Sequence, residues 1–106
     1  MDKTTKEALE ASIQHWRENL AAEAPETAET YGCSCALCRK FAENRGRGAC
    51  QNCPVHERTG FKHCERTPYR KAHLALDRWR FTESSIDRDA FRIAAKAEIE
   101  FLESLR

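Results

Sequence analysis

All six cysteines of the chain fall between residues 33 and 64, in the stretch CSCALCRKFAENRGRGACQNCPVHERTGFKHC, and the other 74 positions hold none. Within it, Cys35–Cys38 and Cys50–Cys53 are two CxxC pairs with eleven residues between them. Two residues between thiols let a tight turn aim both sulfurs at one point about 2.3 Å from a metal, and two such pairs supply the four thiolates of a tetrahedral structural zinc site. The expected ligands are therefore Cys35, Cys38, Cys50 and Cys53. Cys64 is the alternate ligand, and His56 and His63 are nitrogen alternatives. Cys33 stands one residue before Cys35, and two thiols in a CxC rarely ligate one zinc, so it is left outside. An iron–sulfur cluster also takes four thiolates, and CQNCP has the Cys-Pro that closes ferredoxin runs. The tight repeated triplet of those runs is missing, which places a cluster second to zinc. A thioredoxin-type redox pair needs a βαβ setting that is not visible here.

A staple of this kind answers a need elsewhere in the chain. Leu, Ile, Val and Phe together make 17 of 106 residues, less than a fifth. A core that thin struggles to offset conformational entropy. With a net charge of only +1, general disorder does not follow. The N-terminus has no uninterrupted apolar run and no small-residue cleavage site, so no signal peptide is expected. No window holds eighteen apolar residues, so no membrane span is expected. The expected location is cytoplasmic, where structural disulfides are rare. Export by an unrecognised route would restore three disulfide bridges as an alternative.

Periodicity returns on either side of the cysteines. Residues 4–22 form a predicted amphipathic helix, with Leu9, Ile13, Trp16 and Leu20 on one stripe and Thr4 and Glu7 spaced as a capping box. Pro25 ends it, and the acidic AEAPETAET is expected to be a solvated linker. Residues 33–66 carry glycines and Pro54 in place of periodicity. Thr67 is the expected cap of a second helix with Pro68 at its first position and Tyr69, Ala72, Leu76 and Trp79 facing inward. Ser84 or Ser85 caps a last helix to about residue 105, with Phe91, Ala94, Ala95, Ile99, Phe101, Leu102 and Leu105 as its apolar positions. His15 and His73 are expected at helix surfaces or boundaries. The architecture expected is mainly α: a single domain, 1–106, of about three helices packed around an irregular, Cys-rich metal-binding insert.

Charge is unevenly placed. Residues 36–80 hold 11 basic and 4 acidic side chains, whereas the segments on either side are net acidic. Arg39, Lys40, Arg45, Arg47, Arg66, Arg70 and Lys71 could contact phosphates, with Phe41, Phe61 or Tyr69 available to stack on bases. Cations beside a zinc–tetrathiolate centre also offset its net negative charge. Protein binding through the same surface competes equally with nucleic-acid binding. Nothing assembles a nucleophile, a base and an orienting carboxylate, and a four-thiolate zinc lacks the open position catalysis needs. The expectation is a binding protein and no enzyme.

CALCRKF, CQNCPVHERTGFKHC and TPY, followed by a final AAKAEIEFLESLR, resemble a family of small cysteine-rich proteins of bacteriophages and prophages. The family pattern opens with a helix carrying a His-Trp pair, matched here by His15 and Trp16, and the likeness runs over roughly residues 7 to 105. It maps onto Cys35, Cys38, Cys50, Cys53 and Cys64 and leaves Cys33 out. The resemblance implies a cytosolic protein made in a bacterial host cell, and it assigns no biochemical activity. An accessory protein that binds a host or phage protein would suit it.

Overall fold

In the computed structural model, residues 3–30 and 67–106 are described. The first helix, α1, spans Lys3–Ala21 without a glycine or proline to interrupt it. Its predicted stripe is the buried one: Leu9 and Ile13 are fully enclosed, Trp16 nearly so, and Leu20 packs partly against them. The start differs from expectation. Thr4 lies inside the helix, whereas a capping residue must be non-helical, so the Thr4–Glu7 capping box is not the start of α1. At the other end Ala22 N–H closes a tight turn on Asn19 C=O (3.1 Å).

Helix α2 spans Pro68–Thr82. Thr67 caps it as predicted: its backbone is extended, and its hydroxyl accepts from Tyr69 N–H at 3.3 Å. Pro68 then costs nothing, because a first-turn N–H has no intrahelical partner. Glu83 ends α2 in the left-handed conformation (φ 53°), with its N–H on Trp79 C=O at 2.7 Å. A glycine would take that conformation without the Cβ clash.

Helix α3, Ser85–Glu103, follows directly, so α2 and α3 form a helical hairpin. Of the two candidate caps, Ser84 is the one used. Its hydroxyl accepts from Asp87 N–H (3.2 Å) and donates to the Asp87 carboxylate (2.9 Å). The Thr82 hydroxyl donates to the same carboxylate. Those two hydroxyls, Thr82 first, hold the Asp87 carboxyl below its usual range.

Helix α3 packs on both other helices. Toward α2, the Trp79 and Phe91 rings stack with centroids 5.8 Å apart. Toward α1, Arg92 Nε donates to Leu20 C=O at 3.1 Å, and Arg106 meets Glu10 with two contacts of 2.8 Å. Together with Arg17–Glu103 (3.5 Å), these contacts order α1 and α3 antiparallel. The exposed ion pairs set register and add little stability. Ala72, Leu76, Trp79, Phe91, Ala95 and Leu102 complete the core, and Tyr69 and Phe101 are only partly buried. Among the described residues the chain is a compact, mainly α-helical domain of three helices, and none of these helices is long and apolar enough to cross a membrane.

Candidate functional site

The segment after α1 is not a solvated linker. Ala22, Pro25 and Ala28 are buried, while Glu23, Glu26 and Glu29 between them are exposed. A three-residue period therefore turns the small residues inward and the carboxylates outward, and Pro25–Thr27 forms a single 3-10 turn. The acidic composition concealed an inward face of two alanines and a proline.

Polar side chains of α1 hold this segment down. Asn19, almost fully buried, donates to Glu29 C=O at 2.8 Å and accepts from Glu29 N–H at 3.0 Å. His15 reaches the same carbonyl at 2.9 Å. A carbonyl only accepts, so His15 Nε2 carries the proton and cannot also accept from Asn19, 3.5 Å away. The next residue joins α2: Thr30 C=O accepts from the Tyr69 hydroxyl, and Thr30 Oγ1 lies 2.7 Å from His73 Nδ1. His73 Nε2 faces Asp77 at 3.7 Å. Tyr69 stacks on His73 and meets Trp16 edge-on. Both histidines occupy the boundary positions expected of them, and their contacts bind elements together.

Asn19→Ala removes both bonds to Glu29, and the better helix propensity of alanine offsets part of the loss. The expected net cost is about 1–2 kcal/mol, read by urea unfolding. A cost below about 0.3 kcal/mol would mean that water replaces the clamp without penalty.

One buried group has no counterpart in the sequence expectations. Glu98 is 2% exposed on the inner face of α3, and its Oε2 has no hydrogen-bond partner. Its carboxyl is hydrogen-bonded by the Tyr69 backbone at the start of α2. Burial pushes the carboxyl up to about 8, and the Tyr69 bond opposes this only in part. The spacing carries a signal for it: Phe91, Ala95, Glu98, Leu102 and Leu105 recur at alternating intervals of four and three, with the glutamate in a core register.

The expected metal ligands Cys35, Cys38, Cys50, Cys53 and Cys64, and the basic residues Arg39, Lys40, Arg45, Arg47 and Arg66, lie outside the described residues. Arg70 and Lys71 are adjacent and exposed on the first turn of α2. Among the described residues, no group of three or more His, Cys, Asp or Glu side chains is placed to hold a metal ion. Large apolar side chains also stand outside the core: Leu74 and Phe81 seven residues apart on α2, and Ile86 and Ile93 likewise on α3. Phe81 is 91% exposed.

No family model matches the chain, and neither a curated protein nor a solved structure matches it.

Proposed function

We propose that the chain is a small zinc-binding accessory protein of bacteriophage type that acts by binding a host or phage protein. The observation that carries this reading is the pair of CxxC motifs, Cys35–Cys38 and Cys50–Cys53, with Cys64 as alternate ligand. Four thiolates match the donor set of a structural zinc ion, whose role is to hold the chain in shape. The exposed Leu74, Phe81, Ile86 and Ile93 support action by binding, since they leave apolar surface available on the α2–α3 hairpin. The cytoplasm of a bacterial host is the proposed location.

Metal analysis of the purified chain tests the premise. About one zinc per chain is expected, and less than half an equivalent of zinc or iron would remove it. Stoichiometric iron in a coloured, anaerobically purified protein would replace zinc with an iron–sulfur centre. A second reading, nucleic-acid binding through the basic segment, is favoured by the exposed Arg70–Lys71 pair. A retained nucleic acid released steeply by salt would select it over protein binding, because phosphate contacts release counterions.

A further inference from the structure

The Glu98 carboxyl lies where three structural features meet. It is enclosed on the inner face of α3, it touches the Tyr69 backbone in the first turn of α2, and one of its oxygens is unpartnered. One turn away along α3 its neighbours are Ala94, Ala95, Phe101 and Leu102. On α2, Arg70, Lys71, Asp77 and Arg78 are exposed, while the half-buried His73 and Arg80 are engaged with Thr30, Asp77 and Ala28. On α1 every charged side chain is exposed, and the half-buried His15 is bonded to Glu29. Glu23, Glu26 and Glu29 face outward from the connecting segment. On α3 itself Lys96 is exposed, Arg92 is engaged with Leu20 and Arg88 lies ten residues from Glu98, so among the described residues no ion pair to Glu98 forms.

A carboxylic acid and a carboxylate make opposite demands at such a place. The neutral acid needs little beyond the Tyr69 contact. The carboxylate is costly to keep away from water, and the unpartnered oxygen would carry part of that charge with no donor to meet it. The nearest structure able to yield is the beginning of α2, because helix ends open more readily than helix middles. That turn is held by the Thr67 cap and by the contacts of Tyr69 with Trp16, His73 and Thr30.

We propose that Glu98 is a proton-operated latch on the first turn of α2: protonated, it lets Thr67–Tyr69 seat against α3, and ionised, it releases that turn to water. Residue 67 is also where the chain returns from the cysteine-rich segment, so the latch acts on the junction between that segment and the helical core.

The pH window follows from the two states of the turn. Seated, the carboxyl titrates at about 8; released into water, it returns to the ordinary value near 4.5. Between those limits the open form binds fewer protons than the closed form, so opening becomes easier as pH rises and levels off above about 8. The opening equilibrium should rise about tenfold per pH unit across the window, or about 100-fold from pH 5.5 to 7.5.

Amide hydrogen exchange of the full chain at these two pH values, corrected for intrinsic exchange and compared with Glu98→Gln and Glu98→Leu, tests the latch. The wild type should lose protection about 100-fold at Tyr69, Lys71 and Ala72, and at both pH values these amides should exchange faster than those in the middles of α1 and α3, because the turn opens without global unfolding. At least one of the two uncharged variants, whichever folds with native helicity, should show no such change. His15 and His73 are present in all three proteins, so the difference belongs to Glu98. Equal pH profiles in wild type and variant would overturn the proposal. So would exchange of Tyr69, Lys71 and Ala72 at the same rate as the middles of all three helices at both pH values, which would mark global unfolding in place of a local latch.

Discussion

Phe91→Ala should lower the unfolding free energy by about 3–5 kcal/mol, the cost of removing a buried aromatic ring and leaving its cavity. For a domain of this size that corresponds to a fall in melting temperature of roughly 15–30 °C. Phe91 is fully enclosed in the second turn of α3, and its ring stacks on Trp79 of α2, so it joins the two arms of the hairpin close to their connection. Few other residues can compensate, because large aliphatic and phenyl side chains make only 17 of 106 residues. Ile93, two residues on, is 73% exposed and provides the control: Ile93→Ala should change stability by no more than about 0.5 kcal/mol. Urea unfolding followed by the fluorescence of Trp16 and Trp79 reads both variants. A loss below about 1 kcal/mol for Phe91→Ala would mean that the α2–α3 contact does not carry the core.

The second large effect concerns the proposed zinc site. Cys35→Ser, Cys38→Ser, Cys50→Ser and Cys53→Ser should each sharply reduce bound zinc and lower the melting temperature, since the free energy of binding a structural zinc is folding free energy. Cys33→Ser should leave both quantities nearly unchanged. Cys64→Ser decides whether the fifth cysteine of the pattern ligates. Equal effects at all six positions would refute the assignment. The helical far-UV signal should survive loss of the metal in large part. Leu9, Ile13, Trp16, Leu76, Trp79, Phe91 and Leu102 pack together from segments on either side of the cysteines, so α1, α2 and α3 have apolar partners apart from the ligands. Collapse of that signal on chelation would show that the three helices depend on the metal for their own packing.

Much of the helical frame was legible in local pattern. The stripe Leu9–Ile13–Trp16, the Thr67–Pro68 start and the Ser84 cap all occupy the places assigned to them, because helix periodicity and capping depend on residues within a few positions of one another. Thr4 lies inside α1 and not at its cap, because helix starts are weakly marked when several polar residues in a row could serve. The proposed metal site was legible as ligand type and spacing; its residues lie outside those the structure describes.

The inward face of residues 22–30 and the burial of Glu98 escape local reading for a common reason. An acidic run is expected to stay in water, and a glutamate in a helix is expected on its outer face. Both expectations treat polarity as a local property, whereas burial depends on what the fold brings alongside. Asn19 supplies a donor and an acceptor to Glu29 from ten residues away, and Thr30 meets His73 across 43 positions. Those distant partners turn an apparent linker into part of the core. Glu98 is enclosed because α3 packs on both other helices, with the stripe that holds Phe91, Ala95 and Leu102 turned inward. Neighbouring residues in the chain thus sufficed to set where α2 and α3 begin and which stripes turn inward. The docking of α3 decided which polar groups lose their water, since that cost arises only when separate segments close over them.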